Sequence, residues 1–399
     1  MEKRRILGCS DYFENFGSSF ARQSRLVVAM TQHLDWHYIG LAYRGPVMEI
    51  GKDKDPVRYT LYPQTDVLQG QEADYATGNL QQVADEARPD IIWVYEDTPY
   101  VLRYGKTASA APMVGYVPWD VDYWAEGLES AMKGLDVPVV MSDFAEKLAH
   151  DNGYDVHKIN NCVDETVFGP CPKEDVDIIK SRIGIPDGKK IVLYVGALHA
   201  RKNPESLLAM AQELKRIRGS DFMLVVHGNP MFVLAPCDML AEVITRNIED
   251  VIMFTPGVDW RTGVPPRSMN AIYNAADVFV SAHGGEGFGL PACEAGLCGK
   301  PFVMTGCTTT AEFADGGKNG IAIPIRGHRY AWDVMRPMPD HTKMAQEVSA
   351  LLDDEPKRKA MGAAFREHVL ARYTKKVLAP KWKELFDGCL VNKARVREI

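Results

Sequence analysis

The stretch from Gly284 to Gly296 reads GGEGFGLPACEAG. It follows DVFVSAH (Asp277–His283), an apolar run in which Phe279 and Val280 suit a buried strand. Glycines at 284, 285, 287 and 289 let the chain turn without side-chain bulk, and Pro291 fits the first turn of a helix. The reading is strand, tight turn, helix. Glu286 stands on the turn and Glu294 on the helix, with seven residues between them. A helix that starts just after a strand presents its free N–H groups and the positive end of its dipole beside the strand's carboxyl end.

Similar apolar runs recur on both sides of this stretch. The first half holds RRILGCS (Arg4–Ser10), WHYIGLAY (Trp36–Tyr43), DIIWVYE (Asp90–Glu96), PMVGYVP (Pro112–Pro118) and VPVVMSD (Val137–Asp143). The second holds KIVLYVGAL (Lys190–Leu198), FMLVVHG (Phe222–Gly228), VIMFTPG (Val251–Gly257), DVFVSAH and PFVMTGC (Pro301–Cys307). Runs apolar on both faces, alternating with helix-like segments, predict parallel strands in doubly wound sheets. Two sets of them predict an α/β protein of two doubly wound, Rossmann-like domains, with the default ligand site in a cleft at the strands' carboxyl ends. A length of 399 residues agrees with two domains. Between the halves, FGPCPKEDVD (Phe168–Asp177) is rich in proline, glycine and acid and reads as a linker. The expected organisation is a first domain over 1–168, a linker over 169–177, a second domain over 178–372, and a closing amphipathic helix and basic tail over 373–399.

One helix is legible in detail. Asn203 suits an N-cap and Pro204 the first helical position, and Leu207, Leu208, Ala211, Leu214 and Ile217 keep helical spacing until Gly219. Strand, loop and helix therefore meet at Arg201 and Lys202.

Composition narrows the function classes. With 46% hydrophobic and 25% charged residues the chain reads as a globular protein, and a formal net charge of −7 offers no general attraction to a phosphate backbone. The eight cysteines are scattered, with neither a CxxC pair nor zinc-like His/Cys spacing, which predicts reduced thiols and a cytoplasmic location. The N-terminus MEKRRILGCSDYFENFG has no apolar core of a signal peptide, and no apolar run reaches the roughly 18 residues of a membrane span, so neither export nor a transmembrane anchor is expected.

The turn-helix element at 284–296 suits a diphosphate, because glycines allow close backbone approach and the helix N-terminus favours an anion. Glu294, one turn into the helix, is placed to accept hydrogen bonds from a vicinal diol such as a ribose, and Glu286 to reach the group beyond the diphosphate. Arg201 and Lys202 would neutralise a diphosphate leaving group. Taken singly, a glutamate there reads as a dipole partner and an Arg-Lys pair as solvated surface. Together, on two strand ends of one domain, they read as a nucleotide-sugar site.

These residues resemble the retaining, nucleotide-sugar-dependent glycosyltransferases of family 4, which have the two-domain GT-B fold. EGFGLPACEAG is similar to their Glu-x7-Glu element, NNCVDETVFGP (Asn160–Pro170) to their Asn-Gly-Val-Asp segment, and LYVGALHARKN to their Gly-Arg-x-x-x-x-Lys-Gly segment. LLDDEPKRKAMG (Leu351–Gly362) and the helix of Trp382 resemble the family's C-terminal elements, the last of which crosses back to the first domain. The resemblance implies an acceptor-side first domain and a donor-binding second domain. It also implies Glu286, Lys202 and Arg201 as catalytic residues, and Glu294, Gly17, Gly196, Gly287, Phe288, Gly289 and Leu290 as donor-binding residues. Ala197 stands where the family has an arginine, so that Arg201 replaces it, and Asn203 stands where the family has glycine. GYVPWD (Gly115–Asp120) occupies the place of a histidine-bearing strand end and has no histidine, which leaves Asp120, with Glu96 and Asp97 as rivals, as the polar group expected near the acceptor.

DKD (Asp53–Asp55), DVD (Asp120–Asp122) and DVD (Asp175–Asp177) match a metal-holding Asp-x-Asp pattern, but none follows a clear buried strand in a suitable position, and no required metal or cofactor is expected. The expected reaction is sugar transfer with retention from a nucleotide diphosphate sugar, UDP- or GDP-linked. The alternatives are a nucleotide-sugar epimerase on the same fold and a non-catalytic binding or scaffold protein. The acceptor stays open among a glycan, a lipid-linked sugar, a metabolite, a protein and a modified DNA base, and so does oligomerisation. Trp93, Trp119, Tyr123 and Trp124 read first as packing and second as stacking platforms.

Overall fold

A computed structural model describes residues 3–11, 18–41, 43, 45–51, 57–63, 77–98, 101, 111–232, 234–256, 263–332 and 334–391. The chain divides into two compact units. The first combines the chain up to Trp119, Tyr123–Cys162 and the segment from Lys375 onward, and the second takes Asp120–Asp122 and Val163–Thr374.

Among the described residues the first unit has one sheet of β1 (Arg5–Asp11), β2 (Asp35–Leu41), β3 (Met48–Ile50), β4 (Tyr59–Pro63), β5 (Ile91–Tyr95), β6 (Met113–Val117), β7 (Val137–Val140) and β8 (His157–Lys158). Their order is β3-β4-β2-β1-β5-β6-β7-β8, with β3 antiparallel to β4 and the other pairs parallel. The chain builds outward from β1 on one side, returns to β5, and builds outward on the other. The strand order thus reverses between β1 and β5, the place where doubly wound sheets open a crevice for ligands.

The second unit repeats the plan with β9 (Lys190–Val195), β10 (Phe222–His227), β11 (Ile252–Phe254), β12 (Val278–Ser281), β13 (Phe302–Thr305) and β14 (Gly320–Ile323). All its pairs are parallel, the order is β11-β10-β9-β12-β13-β14, and the reversal lies between β9 and β12. A separate antiparallel hairpin joins β15 (Ile325–Ala331) to β16 (Val334–Pro339).

Central strands are buried on both faces: each residue of β5, β6, β10, β12 and β13 is buried, as expected of apolar runs without alternation. In the second unit the helix Pro204–Arg218 lays Leu207, Leu208, Ala211 and Leu214 into the core shared with β9 and β10, each leucine contributing roughly 1.5–3 kcal/mol. Ile217, on the same helix, stays 39% exposed.

The final helix, Lys375–Val391, belongs to the first unit. Its Trp382 is fully buried, edge-on to Trp93 at 6.1 Å and to Tyr116 at 5.0 Å, and its Phe386 meets Trp36 at 6.1 Å. Trp93 and Trp119 are core residues at 0% exposure, whereas Trp124 stacks on Tyr154 with ring centres 4.9 Å apart.

The stretch 169–177 lies inside the second unit. The helix Lys173–Ile183 begins there after Pro172, the Gly169 N–H donates to Asn270 Oδ1 at 3.0 Å, and Asn274 Nδ2 donates to the Gly169 carbonyl at 2.8 Å. Its prolines and acids mark a helix start; the division between units falls after Cys162 and after Thr374. No disulfide joins any of the eight cysteines, and burial pushes the Cys298 thiol up to about 12 and Cys389 to about 11, so neither of these two is an activated nucleophile. Among the described residues no helix is long and apolar enough to cross a membrane.

Candidate active site

Two loops leave the reversal point of the second sheet. The loop after β9 carries Arg201 and Lys202, the loop after β12 carries Glu286, and the Gly284 N–H ties them together by donating to the Arg201 carbonyl at 2.7 Å. Asn203 reinforces the tie. Its backbone is left-handed (φ 47°), which turns the side chain away from its own helix; Nδ2 donates instead to the Ala282 carbonyl at 2.9 Å and the Pro337 carbonyl at 2.8 Å. The expected N-cap is therefore a loop clamp, and the helix from Pro204 has no side-chain cap.

Charged groups alternate across this junction. Lys202 Nζ donates to Glu286 Oε1; Arg201 Nη1 donates to Glu286 Oε2 at 3.1 Å and to the Gly285 carbonyl at 2.7 Å. Arg201 Nε lies 3.1 Å from Asp120 Oδ2, and Arg336 on β16 donates to the Asp120 carbonyl at 2.7 Å and to Oδ1 at 3.1 Å. Three cations face two carboxylates, so the cluster keeps an excess positive charge for an anion.

Burial alone would raise the Glu286 carboxyl, but Lys202 and then Arg201 outweigh it and hold Glu286 well below the usual carboxylate range. Burial, followed by the charge of Arg201, draws the Lys202 ammonium down to about 8 against the pull of Glu286. Lys202 is thus charged at neutral pH with little margin.

The loop backbone is shaped for this assembly. Gly285 has φ 133°, and a Cβ there would run into the Asp120 carbonyl; the Gly285 N–H donates to His283 Nδ1 at 3.1 Å. Burial lowers His283 to about 4, so the imidazole is a neutral brace, its Nε2 3.2 Å from the Thr310 hydroxyl. The Glu286 N–H donates to Thr308 Oγ1 at 3.0 Å.

The helix Leu290–Leu297 follows with Gly289 (φ 105°) at its N-cap and no side-chain cap; Pro291 has no N–H and the Ala292 N–H donates to the Gly289 carbonyl at 3.1 Å, so the amide that the first turn leaves for a ligand is that of Leu290. Glu294 is buried at 4% exposure, and the Tyr273 hydroxyl donates to its Oε2 at 2.6 Å, which fixes the carboxylate's orientation. Gly287 and Leu290 are buried beside it. The Phe288 ring packs edge-on to Phe313 and Tyr373, at 5.4 and 5.1 Å, so that its backbone and not its ring is suited to face a ligand. The Gly196 N–H is taken by the His227 carbonyl at 3.1 Å, and with φ 152° this glycine's contribution is a backbone conformation that other residues rarely adopt. Gly17 lies outside the described residues.

Asp120, expected in the first domain beside the acceptor, groups with the second unit and braces Arg201. Sequence reasoning missed Arg336, His283 and Tyr273. Tyr273 had a signal, an aromatic at the end of the helix just before β12; Arg336, in the irregular MRPMP, had none. Of the Asp-x-Asp matches, Asp53–Asp55 lies outside the described residues, Asp120 and Asp175 each pair with arginine, and among the described residues no three His, Cys, Asp or Glu side chains converge on a metal-sized site.

The loops, the helix and the charge cluster thus make an anion cradle with two oriented carboxylates. Residues 175–368 match the family model of glycosyl transferases group 1. The chain is 28% identical over 234 residues to a D-inositol 3-phosphate glycosyltransferase of Corynebacterium diphtheriae, an alignment covering 58% of this chain and 50% of that one. It spans about half the length of the curated relatives it matches. Sucrose-phosphate synthase from Thermosynechococcus elongatus superposes with a TM-score of 0.74 at 15% identity, covering 98% of this chain and 100% of that one. The Anabaena protein HepE, solved in complex with UDP and glucose, superposes with a TM-score of 0.71 at 14% identity, covering 96% and 100%. At such identities the likeness is one of fold, and that fold is GT-B.

Proposed function

We propose that this protein is a retaining glycosyltransferase that moves a sugar from a nucleotide diphosphate sugar, UDP-linked, to a hydroxylated acceptor. The observation that carries the reading is the alternating cluster of Lys202, Glu286 and Arg201 beside the uncapped helix at Gly289, within the segment that matches the glycosyl transferases group 1 model. UDP is favoured because HepE, of the same fold, was solved with it.

Charge builds on the diphosphate as the anomeric bond breaks. Lys202, Arg201 and the Leu290 amide at the start of the Leu290–Leu297 helix meet that charge, so the protein's main contribution is leaving-group stabilisation without a required metal. Glu286 orients both cations and has lone pairs left for sugar hydroxyls. Glu294, fixed by Tyr273, accepts from the ribose diol.

The test is nucleotide diphosphate release from UDP-, GDP-, ADP- and TDP-sugars by wild-type protein and by Glu294→Gln, with and without a chelator. Release from one donor, weakened by the substitution and indifferent to the chelator, is expected. NMR of the product should report the donor's anomeric configuration, and an inverted product would remove the retaining assignment. No release and no thermal stabilisation by any donor would leave a non-catalytic binding role.

A further inference from the structure

The reversal point of the first sheet holds a group of carboxyls that the donor-side cluster does not use. In the β1–β5 register Cys9 faces Val94, and two residues further along each strand, at the carboxyl ends, stand Asp11 and Glu96. This is the crevice position of a doubly wound sheet. Glu96 is 4% exposed, and its Oε1 has no hydrogen-bond partner among the described residues. A buried polar atom left unmatched is costly, which makes it a group that a ligand completes.

The surroundings specify the ligand's charge. Burial first, then the neighbouring charges of Asp11 and Asp97, hold the Glu96 carboxyl well above its ordinary range. Asp11 is raised by burial too, and accepts a hydrogen bond from the Ser18 hydroxyl. A carboxyl held above its ordinary range takes up a proton more readily, and once protonated it both donates and accepts, which matches a hydroxyl; a phosphate brought beside Asp11 and Asp97 meets like charge.

We propose that Glu96 and Asp11 form the acceptor site of the first unit, with Glu96 holding a hydroxyl of a neutral polyhydroxylated acceptor, and that phosphorylated acceptors are excluded there. This rests on the glycosyltransferase reading above and gives the acceptor a chemical class. Glu96 is a positioning residue; it needs no part in breaking the donor bond.

The experiment offers matched acceptors of one skeleton, glucose and glucose 6-phosphate, and a second set of myo-inositol and its monophosphate. Product formation is measured with the donor that wild-type protein turns over, and direct binding by saturation-transfer NMR. Neutral members should be used at least tenfold better than phosphorylated ones. Glu96→Ala should lower kcat/KM for the acceptor at least tenfold while the donor KM and acceptor-independent donor hydrolysis stay at the wild-type level; Glu96→Gln, which keeps a donor and an acceptor atom, should stay within about threefold. A preference for phosphorylated acceptors would overturn the proposal, as would an unchanged acceptor KM in Glu96→Ala. If wild-type protein turns over no donor, the glycosyltransferase reading fails on its own; NMR binding of neutral polyols that Glu96→Ala abolishes would still support the site, and binding indifferent to Glu96 would refute it.

Discussion

The two sheets reverse their strand order in the same way, yet they place opposite chemistry at the reversal. Between β9 and β12 stand Arg201 and Lys202, held by Glu286 and joined through Asp120 to Arg336. Between β1 and β5 stand Asp11, raised by burial, and Glu96, raised by burial and then by the charges of Asp11 and Asp97. Topology decides where a ligand can sit, and the few residues at the strand ends decide whether it is an anion or a neutral hydroxyl. The comparison also separates two settings for buried charge: carboxylates paired with cations in one unit, and carboxyls crowded together and raised above their ordinary range in the other.

The comparison requires that each unit keep its own integrity, and Trp382→Ala tests this most severely. Removing an indole packed among Trp93, Tyr116 and Phe386 should cost about 3–5 kcal/mol. Urea unfolding should move the first unit's transition and leave the second's, with nucleotide diphosphate binding retained. Equal loss in both would join what is here treated as two.

Next in size, Lys202→Met should lower turnover by about 10²–10³, roughly 2.7–4 kcal/mol, as for the loss of one donor to a developing negative charge. The acceptor KM should not move. A parallel rise in acceptor KM would blur the division between an anion-binding and a hydroxyl-binding sheet.

Arg336→Ala sharpens the role of the hairpin. It removes two hydrogen bonds to Asp120, and through Asp120 loosens Arg201; about tenfold in donor kcat/KM is expected, near 1.4 kcal/mol. Arg336→Lys should recover part of that, because an ammonium keeps the charge and loses the fork. An unchanged donor kcat/KM would make the hairpin a bystander.

The smallest effect is in the pH profile. Lys202 is protonated below about 8 and loses its charge as the pH rises through that value, so donor kcat/KM should fall on the alkaline side with the loss of one proton. Lys202→Arg should flatten that limb, since a guanidinium stays charged. A limb that persists in the variant belongs to another group.

Much of the fold and one of the two sites were legible beforehand, for physical reasons. Buried parallel strands write continuous apolar runs, and GGEGFG followed by Pro291 writes a turn and a helix start, so the strand-end loops of the second sheet could be placed from the sequence. Edge elements were not legible. β3, β4, β8 and the β15–β16 hairpin are short, partly exposed or interrupted by Gly and Pro, and carry neither a helical nor a clean twofold period. Arg336 was invisible for that reason, since its role depends on a tertiary contact with Asp120, 216 residues away. Asn203 misled in the opposite direction: a good capping residue in type, it sits in a left-handed conformation that sends its amide elsewhere. Glu96 was read as a polar rival to Asp120 at a strand end, but burial of its carboxyl is a property of the packed sheet.

The first unit is discontinuous in the chain, and that has a meaning for how the protein is made. Its closing helix, Lys375–Val391, is synthesised only after the more than two hundred residues of Val163–Thr374 have been added. At ribosomal speeds of about 5–20 residues per second, this is a wait on the order of 10–40 s, during which the faces of Trp36, Trp93 and Tyr116 that Trp382 and Phe386 will cover have no partner. The second unit, whose main segment is continuous, can finish while the first is still open. The nascent chain therefore completes its later half before its earlier one, and it is the earlier half that should draw chaperones on the ribosome.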